Sequence, residues 1–231
     1  MPNKQTLAPH QNEATTIASW AKAVCAAIDA RGVNSAELLM QADISPDTLA
    51  ETEGRVPVSN MSRLWALAVN TTGDDAFGLS VPNYITPTTF HALGFSLMVS
   101  SSLRDAWLRT QRYYQIVSNA LEIQIQHGED ESALCYVKIP RKEYAKEAID
   151  AFVATMVKLS ADITAGNAQP TKILLERTKP AQSDQFKVSF SCDVYFESKR
   201  NEIYYKNEDL DRVLTTANRD IALKNDEATL E

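Results

Sequence analysis

At Leu121 the hydrophobic pattern of this chain changes period, and that change constrains the fold more than any other feature. Before it, apolar residues recur every three or four positions. From it, LEIQIQ sets Leu121, Ile123 and Ile125 against Glu122, Gln124 and Gln126, the alternation of a half-buried strand. The polar turn HGEDES and a second apolar run, ALCYVKI, complete a hairpin. A block of helices followed by a block containing strands predicts an α+β fold. The expected arrangement is a helical layer over about residues 13–118 packed on a small antiparallel sheet, with one long covering helix, in about residues 119–218.

Start and stop signals divide the first block. Ile17, Ala21, Val24 and Ile28 share one stripe of a helix running from Glu13 to Arg31 and ended by Gly32. Asn34 with Glu37, Ser45 with Pro46, and Ser59 each mark a further helix start, the last helix stopping near Gly73. Thr86 and Pro87 open a helix through Met98. Its interior Gly94 costs about 1 kcal/mol relative to alanine, which points to a close approach by another backbone or a ligand. Ser102 and Asp105 cap the amphipathic run LRDAWLRTQRYYQIVS, with Leu103, Ala106, Trp107, Thr110, Tyr114 and Val117 facing inward and Arg104, Arg109 and Arg112 facing solvent. In the second block a long helix spans Glu143 to about Ala165. TKILLER and Glu202 to Tyr205 read as further strands, and Pro140 to Lys142 as a hinge.

Composition narrows the function. With 231 residues and 44% hydrophobic content the chain can bury a substantial core. Its net charge of −7 argues against a surface built to neutralise phosphates. No apolar run approaches the length that spans a bilayer, and the first residues lack the apolar core of a signal peptide, so no membrane partner and a cytoplasmic location are expected. Residues 1–12 read as a disordered N-terminus. Cys25, Cys135 and Cys192 are odd in number and lack a CxxC spacing, which predicts buried thiols rather than a disulfide or metal site.

No nucleophile elbow, phosphate loop, dinucleotide fingerprint or HExxH is present. His10, His91 and His127 lie far apart in sequence, so neither catalytic residues nor a cofactor is expected, and the chain is read as not an enzyme. The densest mixture of aromatic and polar residues runs from Phe90 to Ser118. A small-molecule pocket needs apolar walls and a few placed polar groups, which makes Phe90, His91, Phe95, Met98, Tyr113 and Tyr114 the candidate ligand-binding residues. The competing reading is an ordinary core stripe at helical spacing.

Three blocks resemble one family in order and spacing. RGVNSAELLMQADIS with RVPVS is similar to its opening helix and the segment behind it. TTGDDAFGLSVPNYITPTTFHALGFSLMVSSSLRDAWLRTQRYY resembles its most recognisable block, and SCDVYFESKRNEIYYKNEDLDRVL its closing one. The family is the N-terminal effector domain, labelled arabinose-binding, of AraC-type transcription regulators, in the branch of ornithine-utilisation and virulence regulators. The resemblance implies a domain for effector sensing and self-association. A small effector, in the manner of a metabolite or a fatty-acid-like molecule, would settle between the two layers, and the chain would form a homodimer. DNA would be reached only through a C-terminal helix-turn-helix domain, with residues 219–231 as the start of a linker to it. The founding member's sugar-binding barrel is rich in strands whereas this chain begins with helices, so neither arabinose nor the barrel is carried over. The alternative is a ligand-independent dimerisation module.

Overall fold

The computed structural model describes residues 13–138 and 144–230, so the expectations for residues 1–12 and for a hinge at Pro140–Lys142 lie outside the described residues. Strand β1 (Thr15–Ile17) leads directly into α1 (Ala18–Asp29), followed by α2 (Ser35–Gln41), α3 (Pro46–Ala50), strand β2 (Arg55–Pro57) and α4 (Val58–Thr72). The first helix therefore starts later than its apolar stripe suggests. Thr15, Thr16 and Ile17 are β-branched and pair antiparallel with Arg55–Pro57 instead. The Arg55 guanidinium locks this ribbon, donating to Thr15 Oγ1 and to the Ile116 carbonyl, each at 2.7 Å.

The capping signals act as their chemistry requires. Asn34 accepts from the Ala36 amide, Ser45 from Asp47, and Ser102 from Asp105 at 3.1 Å. Gly73 closes α4 with φ of 67°, a left-handed conformation that glycine adopts without penalty. The helix expected over Thr86–Met98 is broken in two. A 3-10 segment, Phe77–Tyr84, is followed by a 3-10 turn, Pro87–Phe90, and then by α5 (His91–Met98). The Thr86–Thr89 capping box closes that turn, and His91 takes φ of 53° at the joint.

Next come α6 (Leu103–Val117), β3 (Leu121–His127), β4 (Glu131–Lys138), α7 (Lys146–Ile163), β5 (Lys172–Leu174), α8 (Ser183–Phe190), β6 (Asp193–Tyr195), β7 (Asn201–Lys206), α9 (Asn207–Leu210) and α10 (Arg219–Leu230). The larger sheet has the order β3-β4-β7-β5-β6, with Leu121 opposite Lys138 in the hairpin. It is antiparallel except at β6, which pairs parallel to β5 after the α8 crossover. The fold is α+β, helices packed on small sheets.

The long helix α7 lies against the sheet, and the N-terminal helices pack on its other side. Its Phe152 ring meets Trp20 of α1 at 6.1 Å, Tyr114 of α6 at 4.8 Å and Tyr136 of β4 at 5.3 Å, so one residue joins both layers. Alanines and buried polar residues on α7 admit close neighbours. A Cβ at Gly78 would stand 2.5 Å from the Glu147 carbonyl oxygen.

Two arginines expected in solvent are largely covered. Arg109 keeps only 12% of its side chain exposed and bonds Asp105 on its own helix and Asp226 of α10. Arg104 holds Asp211 at 2.5 Å and Asn207 at 2.9 Å. Both corrections have one cause: α9 and α10 return over α6 and bring carboxylates that the pattern of α6 alone does not reveal. Arg112 remains exposed, over the Tyr113 ring. The segment read as the start of a linker forms α10, packed along α5.

Candidate functional site

Two apolar cavities flank α7. The first, about 50 Å³, lies where α1, α4 and α6 meet the start of α7, walled by Trp20, Met61, Trp65, Val117 and Phe152 with Thr16, Ser118 and Tyr114 at its polar points. Its rim is held by the β1–β2 ribbon. Thr16 Oγ1 donates to the Val117 carbonyl at 3.0 Å, and Asn119 accepts from the Thr15 amide at 2.7 Å. Burial pushes the Tyr114 hydroxyl above its ordinary pKa, so it stays a neutral group able to donate or accept.

The second cavity, about 130 Å³, opens between the 3-10 segments, α5 and the C-terminal half of α7. Pro82, Ile85, Phe90, Met98, Leu159 and Ile163 make its walls; Lys158 and Asp162, paired at 2.5 Å, also line it. Gly94 forms part of the wall because a side chain there would run into the Pro87 carbonyl oxygen, 1.9 Å from an ideal Cβ. The close approach inferred from this glycine is to backbone. Trp20 of the first cavity stacks on Phe90 of the second, 6.2 Å between centroids, so this aromatic pair stands between the two spaces.

The six candidate residues are dispersed. Phe90 and Met98 line the second cavity and Tyr114 the first. Tyr113 is buried, while Phe95 is 45% exposed on the outer side of α5. His91 lines a shallow surface groove with Lys22, Thr88 and Tyr84. Sequence spacing missed what α7 and α1 contribute, namely Phe152, Thr155, Leu159, Ile163 and Trp20. One signal was present: Ile149 to Val157 carries no continuous polar face, as expected of a helix buried on several sides.

The walls of the second cavity are tied to the chain's last helix. On the face of α5 away from the cavity, Ser96 Oγ donates to Asp226 and, at 3.3 Å, to the Ala222 carbonyl. Arg109 Nε reaches the same Asp226 oxygen at 3.1 Å, and Ser100 Oγ returns to the Ser96 carbonyl at 2.9 Å. Ser96 and Asp226 are buried, so this cluster is shielded from water and worth more than an exposed pair.

A third space, about 150 Å³, is polar. It is lined by Asp150, Arg177, Lys146, Glu176, Asn201, Tyr144 and Ile149, and shares Tyr144 and Ile149 with the first cavity. Arg177 Nη1 bonds Asp150 Oδ2 inside the protein, both side chains being at most 3% exposed. Burial pushes the Asp150 carboxyl up to about 7, against the downward pull of Arg177. Cys25 and Cys135 are buried and Cys192 half-buried, and burial raises each thiol, to about 11, about 12 and about 11 respectively. Among the described residues no group of three or more His, Cys, Asp or Glu could hold a metal ion, and no helix is long and apolar enough to cross a membrane.

Comparison with known proteins adds a family to this geometry. Residues 32–214 match the family described as the arabinose-binding domain of AraC transcription regulators, at their N-terminus. The chain is similar to the ornithine utilization regulator of Pseudomonas aeruginosa, 21% identical over 201 residues, covering 87% of this chain and 59% of that protein. Its fold is similar to that of the transcriptional regulator CdpR from Pseudomonas aeruginosa, with a TM-score of 0.60 at 14% identity over 85% of this chain and 63% of that one. This chain thus spans less than two thirds of the length of either relative.

Proposed function

We propose that this chain, which belongs to the family of arabinose-binding domains of AraC transcription regulators, senses a small effector in the cavities against α7 and passes the signal through α5 to α10. Family membership makes an effector-binding regulatory domain the coarse reading. The observation that carries the finer one is the position of α5: Phe90, Gly94 and Met98 border the second cavity, while Ser96 on the opposite face grips Asp226 of α10. A ligand that wedges between α5 and α7 changes the energy of that grip. Such coupling exists only to the extent that the ligand binds the docked and undocked arrangements differently. In a full-length regulator the change at α10 would alter how a DNA-binding domain is presented. The role is one of binding rather than catalysis, at a cytoplasmic location.

The test is a thermal-shift screen against a metabolite library, followed by hydrogen exchange on the hits. A true effector raises the melting temperature and changes exchange in α5 and α10 together. Hits that protect the cavity while α10 exchanges unchanged would remove the signalling part of the reading.

One observation favours self-association as a second role. Helix α5 packs on both α6 and α10, and the three helices expose Phe95, Leu108, Ile221 and Leu223, each at least 45% accessible. We take these helices as the homodimer face, with or without ligand. Sedimentation equilibrium of Leu108→Glu should then show monomer where the parent shows dimer; a parent that sediments as monomer at all concentrations refutes it.

A further inference from the structure

We propose that the polar cleft beside Asp150 and Arg177 holds the head group of a zwitterionic ligand, as in a free α-amino acid, presenting its cationic donor to Asp150 and its anionic acceptor to Arg177. The inference deepens the effector-binding reading and rests on it for its regulatory meaning. The pair is joined through one oxygen and one nitrogen only, Asp150 Oδ2 to Arg177 Nη1. Asp150 Oδ1 and Arg177 Nη2 are buried and have no hydrogen-bond partner among the described residues. Buried ion pairs that serve structure alone normally satisfy their remaining lone pairs and protons, because each bare atom keeps its desolvation cost. Here one acceptor and one donor are left bare on residues that line the same 150 Å³ space.

What fills such a gap must donate and accept at once. A lone anion would meet Asp150, and a lone cation would meet Arg177. Lys146 and Glu176 also line this space, one charge of each sign, which favours a zwitterion over a neutral amide of the same shape. The shared residues Tyr144 and Ile149 set this cleft against the first apolar cavity, so a ligand's apolar part has a wall to follow.

Isothermal titration of this chain at pH 8 with L-alanine, L-leucine, L-lysine and L-glutamate tests the assignment. The expected result is binding of at least one of them, with a loss of about tenfold or more when its amine is acetylated or its carboxylate is converted to the amide, as for losing a hydrogen bond to a charged group. The double variant D150N/R177Q, which exchanges both charges for amides, should lose about tenfold or more as well. If that variant does not fold, Lys146→Gln and Glu176→Gln at the wall replace it, with weakened binding expected from each. No heat with any of the four, equal binding of a blocked derivative, or a folded D150N/R177Q that binds like the parent overturns the proposal. If the amino acids fail while other metabolites still couple the cavities to α10, this inference falls and the effector reading stands. If they bind and α10 does not respond, the reverse holds.

Discussion

Replacing Gly94 with alanine puts a methyl group between α5 and the Pro87–Phe90 turn, where the backbones nearly touch. An ideal Cβ there lies 1.9 Å from the Pro87 carbonyl oxygen and 2.8 Å from its carbon, whereas real contacts essentially never fall below 3.0 Å. Both obstacles are backbone, so no side chain can swing aside and the two elements must part by more than 1 Å. Overpacking of this kind costs about 1–3 kcal/mol, and the upper end applies when backbone must move. Alanine returns about 1 kcal/mol through its better helix propensity. The net expectation is a loss of about 2 kcal/mol, or about 4–8 °C in melting temperature for a chain of this size. Because Gly94 and Pro87 both line the second cavity, ligand binding there should change in the same variant. Urea unfolding followed by circular dichroism measures the loss. Gly32→Ala is the control: Gly32 has φ of 74° and open space around its Cβ position, so its cost of about 1–2 kcal/mol comes from backbone conformation alone and leaves the cavity untouched. A Gly94→Ala protein as stable as the parent would refute the close-approach argument.

Three further expectations follow from the packing. Trp20→Ala removes the ring that stacks on Phe90 and tilts onto Phe152, which should destabilise the fold by about 3–5 kcal/mol and join the two apolar cavities; a loss under about 1 kcal/mol in urea would contradict the assigned packing. Asp226→Ala takes the acceptor from Ser96 and one of two carboxylates from Arg109, at a local cost of about 1–3 kcal/mol. Amide exchange should accelerate in α10 with the β3–β4 hairpin unaffected, and equal protection of α10 in both proteins would show that the cluster does not hold it. For pH, Asp150 keeps its proton in the folded state up to about 7 but releases it in the unfolded chain near 3.8. The folded state therefore binds more protons in that window, so this group's contribution to stability declines as pH rises from 3.8 to about 7, at a limiting slope of about 1.4 kcal/mol per unit, and is level above it. The groups acting on Asp150 are Arg177, Glu147 and Lys146. Comparing the parent with Asp150→Asn across that range isolates the slope, and parallel pH profiles would disprove the shift.

The legible parts of this protein were those that local chemistry decides. Ser102 and Asp105 state where α6 begins, and the structure caps it there. Alternation from Leu121 predicts β3, because a strand's side chains must part to opposite faces. Gly94 announced a close contact, since a helix tolerates glycine poorly without a reason. The candidate pocket was less legible. Phe90, Met98 and Tyr114 do border cavities, but two different ones, while Phe95 and His91 face outward. Helical spacing groups residues by face along one axis. The break at His91 folds α5 back against the Pro87–Phe90 turn, so the single continuous helix expected over Thr86–Met98 does not exist.

Partners distant in sequence were invisible for a related reason. Arg109 is followed by polar and aromatic residues like any solvated helix face, and only the return of α10, 117 positions later, supplies Asp226. Arg177 closes the run TKILLER and Asp150 lies 27 positions earlier in the long helix, and only folding brings them together in the interior. Sequence by itself determined the α+β class, the capped starts of α2, α3 and α6, the β3–β4 hairpin and the family, because each rests on interactions within a few residues or on the run of the pattern. Tertiary structure alone decided where empty space remains and which charges are buried. Cavities are what is left when whole helices fail to meet, and burial depends on every element that lies across a residue; neither is a property of any local stretch.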